Sequence, residues 1–142
     1  MNLIIRDYQD NDYEQIVSNL KEATLFNPHL DTKEVLSGKM KHSPGSILVA
    51  EQEGEVVGSV FIIFDKWQSF VYRLAVKEAY RKQGVGSALM RALEDRLRDF
   101  GALAVSGTVR ENHPHLEKYY QELGYELAPI KHRYIHKKLN EN

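Results

Sequence analysis

The stretch "AYRKQGVGSALMRAL" (79–93) follows the apolar run "FVYRLAV" (70–76) and leads into residues that repeat at helical spacing. Gly84 and Gly86 stand one residue apart behind Arg81, Lys82 and Gln83, where a strand gives way to a helix. A helix N-terminus leaves its first amide N–H groups without partners, and its dipole favours negative charge. Glycines there let an anion approach the backbone closely, and Arg81 and Lys82 add positive charge. The turn therefore reads as an anion site, with a merely tight turn before a helix as the plainer alternative. Two nucleotide readings fail. No G-x-x-x-x-G-K-[ST] run exists for a P-loop. A dinucleotide fingerprint needs Gly or Ala three residues after Gly86, where Leu89 stands, and it normally opens the first β-α unit, whereas this turn lies past the middle of the chain.

Working outward, Val85, Leu89, Ala92, Leu93, Leu97 and Phe100 share one helical face, and Gly101 stands where a left-handed C-terminal residue is expected. Upstream, "NLIIRDY" reads as a strand, and Tyr13, Ile16, Val17 and Leu20 recur at helical spacing after Asp10 and Asp12. "DTKEVLSGKMKH" reads as a shorter helix, and "SILVAEQEGEVVGSVFIIFD" as two strands joined near Glu53–Glu55. Downstream, "ALAVSGTV" (102–109) reads as a buried strand. In "NHPHLEKYYQELGY", Pro114 suits a first helical turn, His113 a cap, and Gly124 the end. "YELA" and "HRYIHKKL" read as two final strands, the latter with Ile135 and Leu139 facing inward. The predicted order is β-α-α-β-β-β-α-β-α-β-β: a single domain over 1–142, one mixed α/β sheet with helices around it.

Composition narrows the function classes. A chain of 142 residues is long enough to bury about 68% of its unfolded surface. Its 19 basic and 20 acidic residues give a net charge of −1, which argues against a general nucleic-acid binder. Without cysteine there is no disulfide framework, thiolate nucleophile or cysteine zinc site. The six histidines lack an H-E-x-x-H spacing, so no metal is expected. "MNLIIRDYQDNDYEQI" turns acidic too early for a signal peptide, and no apolar run approaches the roughly 20 residues of a membrane span. The chain is expected to be cytoplasmic.

The segment "LAVKEAYRKQGVGSALM" resembles the acetyl-CoA-binding motif of the GNAT superfamily of N-acetyltransferases, [RQ]-x-x-G-x-[GA], matched by Arg81, Gly84 and Gly86. "NHPHLEKYYQELGYE" resembles the same family's N-x-x-A-x-x-x-Y-x-x-x-G-[FY] segment, and the element order is the family's as well. The resemblance implies a GNAT-like acyl-CoA N-acyltransferase fold, with a mixed, mostly antiparallel sheet that splays between the strand ending at Val76 and "ALAVSGTV". It implies that the backbone of Leu74, Ala75 and Val76 pairs with the pantetheine arm as an added strand. The amides of Lys82, Gln83, Gly84, Val85, Gly86 and Ser87 would hold the diphosphate of coenzyme A, beside Arg81, with Asn112 as a further contact.

The implied reaction is direct transfer of an acetyl group from acetyl-CoA, the co-substrate, to an amine acceptor, helped by a backbone N–H near Val76. The implied proton donor is a tyrosine: counting back from Gly124 gives Tyr120, while counting on from Asn112 gives Tyr119, and the Gly124 register is preferred. Where several relatives carry a basic glutamate, this chain has Thr108 and Arg73. Glu111, His113 and a water chain stay open as the base. The acceptor is expected over the loops formed by the first two helices, "LKEATLFNPHLDTKEVLSGKMKH", and the final strands. Alternatives are a protein or peptide N-acetyltransferase and a non-catalytic acyl-CoA sensor. A homodimer through the late strands, using Tyr134 and Ile135, stays open.

Overall fold

A computed structural model describes residues 2–110 and 113–140. The chain divides into two compact units, one ending at Gly107 and the other beginning at Thr108. In the first, four strands form an antiparallel sheet in the order β1 (Leu3–Asp7), β2 (Ile47–Gln52), β3 (Glu55–Phe64), β4 (Ser69–Val76). Helices α1 (Tyr13–Glu22) and α2 (Lys33–His42) lie between β1 and β2, and α3 (Val85–Phe100) follows β4. Among the described residues no helix is long and apolar enough to cross a membrane.

The two faces of the sheet are covered by different helices. Alternation along β2 and β3 turns Val49 toward one face and Ala50, paired with Gly58, toward the other. Val49, Val56, Phe61 and Ala75 join Ile16, Leu20 and Leu36 in a buried cluster under α1 and α2. On the opposite face α3 buries Val85, Leu89, Met90, Leu93 and Leu97. A Cβ on Gly58 would lie 3.0 Å from Leu89 Cδ1, 3.1 Å from the Ala75 carbonyl oxygen and 3.2 Å from Val85 Cγ1, so the bare backbone there lets α3 sit close to the sheet.

Local chemistry explains the boundaries. Glu53 and Gly54 both have positive φ (53° and 80°), as a tight two-residue hairpin requires. Thr32 caps α2 by accepting from the Val35 N–H at 3.1 Å. Gly101 is left-handed at φ 94°, and the N–H groups of Gly101 and Ala102 close the last turn of α3. Lys39 donates to the Ile62 carbonyl oxygen at 2.5 Å. The β2 partner strand begins only at Ile47, so the ammonium serves an acceptor that the ladder leaves open.

β4 departs from regular pairing. Ser59 pairs with Ala75 but Phe61 with Tyr72, so β4 carries one more residue than β3 across that interval. Arg73 takes up the excess with φ 58°, a left-handed conformation that costs a non-glycine residue about 1 kcal/mol.

The predicted strand count needs correction. The segment 102–109 makes one parallel bridge, Phe70 with Ser106, in place of a strand: the Val71 N–H donates to Ser106 O (2.9 Å) and the Ser106 N–H to Ser69 O (3.0 Å). The bulge two residues beyond Val71 turns the β4 edge aside and ends the ladder. "YELA" and "HRYIHKKL" are not strands. Ile135 and Leu139 are 90% and 95% exposed rather than inward. Among its described residues that unit has one helix, the nine-residue α4 (Pro114–Glu122), and an apolar alternation holds a strand only with a ladder partner and a face to bury against. His113 and Pro114 do open α4, and Gly124, at φ 94°, follows its end.

Candidate functional site

The end of β4, the turn after it and the start of α3 form a continuous backbone surface. The Lys77 N–H donates inward to Val57 O at 2.7 Å. Ladder alternation then turns Ala75 toward β3 and the N–H and C=O of Val76 toward the outer edge of the sheet. A 3-10 turn (Glu78–Tyr80) leads to Arg81, whose Nε donates back to the Val76 carbonyl oxygen at 3.0 Å, while Gln83 Nε2 donates to Ala79 O at 3.3 Å. Those two side chains brace the loop from within.

Lys82 (φ 62°) and Gly84 (φ 87°) are both left-handed, and such turns aim successive N–H groups into a shared concavity. The first helical bond here runs from the Ala88 N–H to Gly84 O, 3.0 Å. Among the described residues the amides from Lys82 through Ser87 make no backbone hydrogen bond, and Arg81 to Gly84 are exposed. A helix terminus of this form leaves its amide donors available to an anion.

The expected contacts divide by what each residue can offer. Val85 and Ala75 are buried at 2% and 3% exposure, and their side chains anchor the two ends of this surface. Leu74, Val76, Gly86 and Ser87 are half-buried. Asn112 and Glu111 lie outside the described residues. In the second unit Tyr120 packs edge-on against Tyr119 and Tyr125, with ring centroids at 5.3 and 5.7 Å. Burial, with Tyr119 adding, pushes its phenol up to about 12. The Tyr119 hydroxyl is buried and makes no hydrogen bond among the described residues. His113 stacks edge-on against His115.

Two arrangements escaped the sequence reading. Glu55 of the β2–β3 hairpin receives Lys77 on one oxygen and the Tyr80 hydroxyl (3.1 Å) on the other, which fixes the 3-10 turn against the sheet. Lys77 holds the Glu55 carboxyl below the usual range, and Glu55 raises Lys77 in return. At the bulge, Arg73 reaches Asp31 on the α1–α2 connection at 3.3 Å. Both pairs join residues more than twenty positions apart, and no local periodicity announces them.

With this geometry in hand, residues 6–125 match the acetyltransferase (GNAT) family. The chain is 32% identical over 123 residues to acetyltransferase SG1711 of Sodalis glossinidius, covering 87% of each chain. It is 32% identical over 124 residues to acetyltransferase ECA0875 of Pectobacterium atrosepticum, covering 87% of this chain and 88% of that one. Among solved structures it resembles a PaiA N-acetyltransferase from Thermoplasma acidophilum in complex with coenzyme A, with TM-score 0.81, 17% identity and coverage of 92% and 94%.

Proposed function

This chain belongs to the GNAT acetyltransferase family and is an acetyl-CoA-dependent transferase; from that premise we propose that it acetylates a primary amine by direct attack in a ternary complex, as one catalytic domain over 1–142. The run of unpartnered amides from Lys82 through Ser87, directly after an outward-facing Val76, is the observation that carries the reading. That run offers donors to the diphosphate of coenzyme A, with Lys82 and the Arg81 guanidinium adding charge. Leu74, Ala75 and Val76 offer backbone for the pantetheine arm. The Val76 N–H polarises the thioester carbonyl as the amine attacks.

The bond formed is amine nitrogen to acetyl carbon, and the bond broken is carbon to sulfur. The amine enters as its free base, and the leaving thiolate takes a proton. Tyr120 is assigned that proton by its place four residues before Gly124 and by a phenol that keeps its hydrogen well above neutral pH. The acceptor reading favours a small amine over a protein segment. A peptide groove would call for an open 27–45 region, and that region instead holds helix α2 and a connection tied by Asn27 N–H to Asp31 Oδ2 (2.8 Å) and Tyr13 Oη to Asp31 O (2.6 Å).

Thermal unfolding with acetyl-CoA, coenzyme A, ATP and NAD tests the donor. Acetyl-CoA and coenzyme A at 100 times their Kd should stabilise the fold by about 2.7 kcal/mol, with no comparable shift from ATP or NAD. Equal shifts from all four, or none from coenzyme A, would remove the assignment of the glycine turn.

A further inference from the structure

Arg73 is expensive to place. Its backbone is left-handed, it sits on the residue that breaks the β3–β4 register, and its side chain is only 21% exposed. Yet its guanidinium, which carries five donors, makes one ion contact, with Asp31 Oδ2 at 3.3 Å, and no hydrogen bond among the described residues. Asp31 is not waiting for it: that carboxylate is 4% exposed and already accepts from the Asn27 N–H. Asp31 thus holds one side of a planar fork whose other donors have no partner among the described residues. Those donors lie in a plane that matches the two oxygens of a carboxylate.

The location of Arg73 says whose carboxylate. Tyr72 and Ala75, either side of the bulge, face the α1–α2 side of the sheet, and Asp31 lies on the connection between those helices. The diphosphate turn begins α3, which covers the opposite face. Arg73 precedes Val76 by three residues on the same strand, and its guanidinium lies on the α1–α2 side of that edge. We infer that Arg73 is a specificity-determining residue that binds a carboxylate of the acceptor, so that the acceptor is an amine also bearing a carboxylate. The inference rests on the transferase reading above for the word acceptor, but the binding it claims is measurable without turnover.

The test titrates the coenzyme A-saturated chain with matched probes: glycine, β-alanine and 4-aminobutyrate, each against the alkylamine lacking the carboxylate. A short peptide with glutamate in second place, against its glutamine counterpart, separates a peptide source from a free amino acid. Each carboxylate probe should bind about 10- to 100-fold more tightly than its partner. Arg73→Gln should abolish that preference while leaving coenzyme A affinity unchanged, and Arg73→Lys should keep part of it as a point charge without the fork. The double variant Arg73→Gln with Asp31→Asn leaves no unpaired buried charge, and should show the same loss in a well-folded protein. Equal binding of both members of every pair by the unaltered chain overturns the inference. So does a loss in Arg73→Gln that falls equally on both members. Arg73-dependent binding without acetyl transfer upholds the inference and sinks the amine-transferase reading; transfer that ignores Arg73 does the reverse.

Discussion

A phenol pushed up to about 12 keeps its proton across the range in which an alkylamine loses its own. The rate should therefore rise with pH as the acceptor becomes free base, with no alkaline fall from Tyr120 below about pH 10. Tyr120→Phe should lower kcat about 100-fold with coenzyme A affinity unchanged, as pre-steady-state transfer and equilibrium titration would show. An early alkaline fall, or an undiminished kcat, would take the proton-donor role from this residue. At this scale the glycine turn was legible because Gly84 and Gly86 carry a direct backbone meaning. Arg73 was not: "YRLAV" reads as regular strand, and only the count of residues between two pairings reveals that one is surplus.

Between elements, the closeness of α3 to the sheet decides where its N-terminus stands. Gly58→Ala adds a methyl against Leu89 Cδ1 and Val85 Cγ1, which can shift, and against the Ala75 carbonyl, which cannot without moving β4. Overpacking of this kind costs about 1–3 kcal/mol, more than the 0.5–1 kcal/mol or so that alanine gains over glycine within a strand. The net expectation is a loss of about 1 kcal/mol, read as a Tm lower by about 4 °C, with weaker coenzyme A binding because Val85 opens the anion turn. A Tm at or above that of the unaltered chain would mean the space is less tight than the distances imply. The helices were readable from the 3.6-residue repeat, and Met90 is the one buried α3 side chain the repeat omitted. The late strands were misread for a related reason: alternation in "HRYIHKKL" records where apolar groups fall along the chain, and pairing depends on a neighbour the local pattern does not contain.

Across the whole molecule, acid stability depends on how β1 is tied to the start of α1. Burial alone would raise the Asp12 carboxyl, but the paired bonds from Arg6 (2.8 and 2.9 Å) and the Gln9 N–H (2.8 Å) hold it below the usual range. Its folded value is lower than its unfolded value, so its contribution is complete above about pH 4 and fades as pH falls through the folded value. Asp12→Asn should cost about 2 kcal/mol at pH 7, and denaturant titrations from pH 7 to pH 2 should show the gap between the two proteins closing only below about pH 4. A gap constant with pH would assign the loss to shape rather than charge. The surplus residue in β4 bears on the molecule differently, as a matter of parity. In an unbroken strand Val71 and Ala75 share a face; here Val71 sits opposite Ile62, on the α3 side, and Ala75 joins the α1–α2 cluster. The strand thus reads in one phase up to Tyr72 and in the other from Ala75. Removing one residue there restores an even ladder and turns the end of the strand inside out. A chimaera whose junction adds or drops one residue between Tyr72 and Ala75 therefore joins two halves that disagree on which side is in.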